Sequence, residues 1–216
     1  MDVRIPREDG SALRCYRAGS AGPGVVVFHA WWGLNRDIID LADRLGNAGF
    51  RIMAPDLFDG RTATTPEQAE QLIQMEGEEG DRLLADARRA MAHLRHEGVG
   101  KVATLGLSFG APYAVAAAVD GTADAVVVFY GSTALEPEDR VAIPVLGHFA
   151  DEDPYEPDGG EALFEQLQAA GATLEHHRYP ETYHWFFEPS NEHYSKQAAD
   201  VAWTRTLDFL TRHLAD

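Results

Sequence analysis

The chain has 216 residues, 45% hydrophobic and 25% charged, a composition sufficient for one folded domain with a sizeable core. Asp and Glu number 35 against 18 Lys and Arg, and the net charge of −17 repels nucleic-acid phosphates and anionic lipid surfaces. The single cysteine, Cys15, excludes an intramolecular disulfide and a thiolate-rich zinc site. With no apolar signal segment or membrane-length run, we expect a cytoplasmic protein with no nucleic-acid or membrane partner.

The first elements in chain order are a predicted antiparallel hairpin. Two short, partly alternating runs, VRIP and ALRCYRA, flank REDGS, whose composition is typical of a turn. The apolar, β-branched run GVVVFHA predicts a buried strand, and apolar residues at helical spacing over residues 38–45 predict the helix that follows. FRIMAPDLF predicts the next strand, and residues 83–94 predict a second helix.

The second half of the chain continues the alternation of strands and helices. KVATLGLS, DAVVVFYGS, IPVLGHFA and TLEHHRYP predict strands, with helices over residues 112–119, around Leu163 and Leu167, and near the end of the chain. This order predicts an α/β fold with a mostly parallel central sheet and helices on both faces. We expect a single domain over residues 1–216, in which residues 58–80 form a lid or extended loop, or else a solvated acidic helix with turns.

The segment GLSFG lies at the end of a predicted central strand and immediately before a helix. Such a strand-to-helix elbow needs small neighbours, and Gly106 and Gly110 provide them while Ser108 projects from the turn. The N–H groups of Phe109 and Gly110 begin the helix, where they are suited to stabilising an oxyanion. The pattern therefore predicts a nucleophilic serine.

A serine hydroxyl needs a base to accept its proton and an acid to orient that base. In the elbow fold the acid and then the histidine follow the nucleophile along the chain. The loop after IPVLGHFA offers Asp151, Glu152 and Asp153, and the loop after the next strand offers His184. Spacing alone does not separate Asp151 from Asp153.

The other histidines give no metal-binding pattern. His176 and His177 are neighbours in a predicted strand, so they face opposite sides of the sheet, and no HExxH spacing occurs. We therefore predict no metal site and no cofactor. His29 also ends a strand at the active edge, and we expect it to be a packed residue that holds the adjacent loop by a hydrogen bond.

These segments together resemble the dienelactone hydrolase family of α/β-hydrolases. The resemblance extends over nearly the whole chain, through FHAWWGLNRDIIDLADRLGNAGFRIMAPDLF, the elbow, GHFADEDPYEP, YPETYHWFF and AWTRTLDFL. It implies the α/β-hydrolase fold, with Ser108 as nucleophile, Asp153 as the orienting acid and His184 as the base. It also implies an oxyanion hole formed by the N–H groups of Trp31 and Phe109.

The chain departs from the family pattern at three positions. The enzymes that name the family have a cysteine in the elbow and a glutamate in the loop after the first parallel strand, where this chain has Ser108 and Ala30. They also hold a substrate carboxylate partly through an arginine four residues past the histidine, and that position is Glu188 here. Glu188 at that position, together with the net charge of −17, disfavours an anionic dienelactone.

Aromatic residues are concentrated at the predicted active edge. Trp32 and Trp185 are predicted to bind substrate, because aromatic side chains give a pocket apolar walls. We expect a serine hydrolase that cleaves a small to medium neutral ester, lactone or thioester through an acyl-enzyme. The alternatives are a non-catalytic ligand-binding module of the same fold, and an acyltransferase or peptidase with the same triad. The sequence does not indicate the oligomeric state, and Cys15 is expected to be a packed residue.

Overall fold

In the computed structural model, which describes residues 1–77 and 80–215, eight strands form one sheet. The strands are β1 (Asp2–Pro6), β2 (Ala12–Ala18), β3 (Gly24–Phe28), β4 (Arg51–Pro55), β5 (Val102–Leu107), β6 (Ala125–Phe129), β7 (Pro144–Ala150) and β8 (Thr173–Tyr179). The helices are α1 (Arg36–Asn47), α2 (Pro66–Gly77), α3 (Gly80–His96), α4 (Ala111–Val119), α5 (Glu161–Ala169) and α6 (Lys196–Leu214).

The sheet has the order β1-β2-β4-β3-β5-β6-β7-β8. The hairpin strands β1 and β2 are antiparallel, β2 joins β4 in antiparallel orientation, and the strand pairs from β4 to β8 are parallel. The predicted N-terminal hairpin and mostly parallel sheet are therefore confirmed. In this order β5, which carries the elbow, lies between β3 and β6 in the middle of the sheet.

Helices cover both faces of the parallel strands. Strand β4 packs against α1 and α3, while β5 and β6 pack against α4 and α6. The residues of β3, β5 and β6 are consequently buried, which explains why their sequences are continuously apolar rather than alternating. Within the described residues, none of the helices combines the length and apolarity needed to cross a membrane.

Part of the segment 58–80 is helical. Helix α2 occupies Pro66–Gly77 and buries Ala69 and Leu72, whereas most of its other described side chains are exposed. For this part of the segment the structure agrees with the second alternative, a solvated acidic helix with turns, rather than with an extended loop. Glu78 and Glu79 lie outside the described residues, and movement of the segment as a lid stays a prediction.

Cys15 lies in β2, paired with Val3 on one side and Pro55 on the other, and its side chain is buried. Burial raises the pKa of its thiol to about 12, and the charges of Asp86 and Asp56 act in the same direction. The thiol therefore stays protonated at neutral pH, as a packed core residue should.

Candidate active site

The elbow is a strained turn between β5 and α4. Ser108 has a φ of +47°, in the left-handed region that residues other than glycine rarely adopt. A Cβ atom on Gly106 would lie 2.5 Å from the carbonyl oxygen of Gly110, and one on Gly110 would lie 2.3 Å from that of Phe28. Only glycine fits at these two positions, as the sequence pattern predicted.

The side chains of Ser108, His184 and Asp153 form a continuous chain of hydrogen bonds. Ser108 Oγ lies 2.8 Å from His184 Nε2, and His184 Nδ1 lies 2.7 Å from Asp153 Oδ2. The side chains of His184 and Asp153 are 3% and 1% exposed, so water does not compete for the bond between them. The structure thus brings the three predicted residues together in the predicted order.

The loop that follows β7 holds the carboxylate of Asp153 in a fixed position. Asp153 Oδ1 accepts hydrogen bonds from the backbone N–H groups of Tyr155 and Glu156, at 2.9 and 3.1 Å. Both oxygens of Asp153 are therefore occupied, one by the loop and one by the histidine. Asp151, the alternative acid, is exposed instead and forms an ion pair with Arg178 at 3.3 Å.

The loop after β3 carries Trp31, and the first turn after β5 carries Phe109. An N–H group at the start of a helical turn has no carbonyl of that helix to bond, so it is free to bind an oxyanion. His29 fixes the β3 loop: its Nε2 accepts a bond of 3.2 Å from the N–H of Leu57. Its Nδ1 must then carry the proton and donate to the carbonyl oxygen of Ala30, at 2.7 Å. Burial lowers the pKa of His29, which favours this neutral form. The geometry agrees with the packing role expected for His29.

Three tryptophans pack together beside the histidine. The ring of Trp185 lies 5.4 Å from that of Trp31 and 5.2 Å from that of Trp32, and all three residues are buried. Trp32 lines a cavity together with Asp37 and Glu188, and neither Trp32 nor Trp185 is among the described residues that line the separate cavity over Ser108. Their predicted role in binding substrate stays a prediction.

A cavity of about 250 Å³ opens over Ser108 and His184. Its walls also include Phe109 and Tyr113 from the elbow side, Ser132 from the loop after β6, and Tyr155 and Glu156 from the loop after β7. Tyr155 and Glu156, which follow Asp153 closely in the chain, were not predicted to face this cavity, because the sequence pattern gives no signal for it. Within residues 1–77 and 80–215, no group of three or more His, Cys, Asp or Glu side chains could hold a metal ion.

A buried tyrosine and carboxyl group lie behind the histidine. The hydroxyl of Tyr130 donates to Glu188 Oε1 at 3.0 Å, and the ring of Tyr130 lies 5.0 Å from that of His184. Glu188 is only 2% exposed, and its Oε2 has no hydrogen-bond partner within the described chain. Burial raises the pKa of Glu188 to about 8, and the charge of Asp37 adds to this effect.

We expect the Glu188→Gln variant to lose part of the pH dependence of stability. Between about pH 5 and about pH 8 this carboxyl stays protonated in the folded protein, whereas in the unfolded chain, where its pKa is 4.5, it is already ionised. Over this window the free energy of unfolding of the wild type should fall by up to about 1.4 kcal/mol per pH unit relative to the variant. Urea unfolding across this range measures the difference, with Glu192→Gln, an exposed carboxylate on the same loop, as control. Equal pH slopes for Glu188→Gln and wild type would contradict this prediction.

A mostly parallel sheet with a serine elbow, an acid loop and a histidine loop at one edge defines an α/β-hydrolase fold. The sequence profile of the dienelactone hydrolase family matches residues 12–214, so the chain belongs to that family. Carboxymethylenebutenolidase from Pseudomonas putida is 29% identical, and the alignment covers 96% of this chain and 94% of the relative.

Solved structures share the fold at lower sequence identity. A dienelactone hydrolase-like promiscuous phosphotriesterase from metagenomic libraries matches with a TM-score of 0.81 and 22% identity, covering 100% of this chain and 99% of the other. A thermophilic esterase from the Planctomycetes species Thermogutta terrifontis matches with a TM-score of 0.70 and 17% identity, covering 98% and 91% of the two chains. At these identities the likeness carries the fold and no more.

Proposed function

We propose that this protein is a serine hydrolase that cleaves a small to medium neutral ester, lactone or thioester through an acyl-enzyme on Ser108. The observation that carries the proposal is the hydrogen-bond chain from Ser108 Oγ through His184 to Asp153, at 2.8 and 2.7 Å. The strained backbone of Ser108 supports it, because strain of this kind persists where the surrounding structure enforces it and is concentrated at functional sites.

Acylation uses the three side chains in turn. Ser108 Oγ attacks the substrate carbonyl carbon while His184 Nε2 accepts the serine proton. Asp153 holds the proton on Nδ1 and stabilises the imidazolium that forms. His184 then donates its new proton to the leaving oxygen or sulfur, the bond to the leaving group breaks, and the acyl group remains on Ser108.

The negative charge of the tetrahedral intermediate requires hydrogen-bond donors. The backbone N–H groups of Phe109, at the start of the helical turn, and of Trp31, in the loop fixed by His29, are the proposed pair. Deacylation repeats the sequence with water as the nucleophile, His184 as its base and Ser108 Oγ as the leaving group. An ester or thioester gives a carboxylic acid and an alcohol or thiol, and a lactone gives a single hydroxy acid.

The walls of the cavity favour a substrate without a negative charge. Lys and Arg are absent from the described residues that line it, so no cationic side chain would neutralise a substrate carboxylate. The relative named carboxymethylenebutenolidase supports the hydrolysis of an ester or lactone. Ser108 replaces the cysteine of the family's name-giving enzymes, which supports a hydroxyl rather than a thiolate nucleophile.

Two neutral esters of one acid with different leaving groups test the acyl-enzyme. We expect para-nitrophenyl acetate and phenyl acetate to be hydrolysed, and to give the same ratio of methyl acetate to acetate when methanol is added. The ratios agree because both esters pass through one acetyl-enzyme, which methanol and water then share. Product ratios that differ between the two esters would exclude a common acyl-enzyme, and a folded protein without turnover would favour a binding module. Exclusive formation of methyl acetate would favour an acyltransferase.

A further inference from the structure

Glu156 brings a carboxylate into the cavity that contains Ser108 and His184. Its Oε1 accepts a hydrogen bond of 2.8 Å from the hydroxyl of Ser132, which lines the same cavity from the loop after β6. Its backbone N–H donates to Asp153 Oδ1 at 3.1 Å. The position of Glu156 is therefore tied on one side to the acid that orients the histidine and on the other side to the opposite wall.

The carboxylate of Glu156 lacks a compensating positive charge. Within the described ranges Glu156 forms no ion pair, and neither Lys nor Arg is among the described residues that line the cavity. Burial raises the pKa of Glu156, and the negative charges of Asp153 and Asp158 raise it further, while the bond from Ser132 opposes them. A cation that entered the cavity would supply the missing charge.

The remaining walls of the cavity are also suited to a cationic group. Aromatic rings of Phe109, Tyr113 and Tyr155 surround the cavity, and ring faces attract ammonium groups. Tyr155 is 52% exposed and lies 4.9 Å from the ring of His184, so the region next to the base is open to an incoming substrate. The net charge of −17 also raises the concentration of cations near the surface.

We infer that Glu156, held by Ser132, selects ester or thioester substrates that carry an ammonium group and discriminates against substrates that carry a carboxylate. This inference rests on the proposed function, because it names the substrate class of the same site. Glu156 acts here as a specificity residue: it contacts the charged part of the substrate and takes no part in proton transfer.

Three thioesters that differ in charge test this inference. Acetylthiocholine carries a quaternary ammonium group, its neutral isostere has carbon in place of the nitrogen, and acetylthiopropionate carries a carboxylate. At about pH 8, well above the ordinary pKa of a glutamate, we expect kcat/KM of the wild type to decrease in the order cationic, neutral, anionic. Glu156→Gln should lower the ratio of cationic to neutral kcat/KM by about tenfold, since it removes the charge and keeps the shape. Ser132→Ala should lower the ratio less.

Glu152→Gln is the matched control. It removes the same charge from the same loop, but Glu152 is exposed and contacts Tyr183 outside the cavity, so the wild-type ratio should remain. If the neutral isostere is hydrolysed and the ratio is the same in wild type and Glu156→Gln, the inference is overturned and the proposed function stands. If the wild type hydrolyses none of the three thioesters, the proposed function fails for this substrate class and the inference fails with it.

Discussion

Ser108→Ala should lower kcat for neutral esters by at least about 10³-fold, because the acyl-enzyme cannot form without the hydroxyl that lies 2.8 Å from His184 Nε2. The alanine side chain is smaller and fits the same backbone, so the midpoint of thermal unfolding should stay close to that of the wild type. Steady-state hydrolysis of para-nitrophenyl acetate measures the loss, provided that the variant is purified free of other esterases.

A double variant sharpens this prediction. Because serine and histidine act as one unit, Ser108→Ala combined with His184→Ala should be no slower than Ser108→Ala alone. Near wild-type turnover in Ser108→Ala would contradict the assignment of the nucleophile. If the fold-loss in kcat of the double variant equals the product of the two single losses, His184 acts in some way other than through Ser108.

Asp153→Asn should lower kcat by about 10⁴-fold, the loss expected when an orienting aspartate becomes an amide. The carboxylate accepts from His184 Nδ1 at 2.7 Å, which leaves Nε2 unprotonated and able to take the serine proton. An asparagine can instead donate to Nδ1 and so stabilise the unproductive tautomer. The pH dependence of kcat/KM should show the remaining activity increasing at alkaline pH, where hydroxide replaces the base.

Asp151→Asn is the control for this variant. Asp151 precedes Asp153 by two residues, but it is exposed and pairs with Arg178 rather than with His184. Its kcat should therefore stay close to that of the wild type. A larger loss of kcat in Asp151→Asn than in Asp153→Asn would identify Asp151, rather than Asp153, as the acid that orients His184.

The sheet could be predicted because the sequences of its central strands are compatible with few other structures. The continuously apolar segments of β3, β5 and β6 fit only strands buried on both faces, and the alternation with helices then requires parallel crossovers. Helix α2 is harder to predict, since among its described side chains Ala69 and Leu72 are the buried ones and they give a weak helical pattern. Charged residues on its remaining surface are equally compatible with a solvated loop.

The choice between Asp151 and Asp153 depends on backbone geometry that spacing does not contain. The N–H groups of Tyr155 and Glu156 turn Asp153 inward, and nothing in the alternation of residue types reveals that turn. The lining of the cavity depends in the same way on packing. Trp32 and Trp185 pack against each other at 5.2 Å, while Glu156, an ordinary surface residue type, faces the cavity at Ser108.

The intact mass of the protein after exposure to a fluorophosphonate tests the central claim most directly. A fluorophosphonate phosphonylates a serine that a neighbouring base activates, and ordinary surface serines do not react. The account predicts one adduct on the wild type and none on Ser108→Ala. An unmodified wild type that is folded, or an adduct that persists in Ser108→Ala, would contradict an activated nucleophile at Ser108.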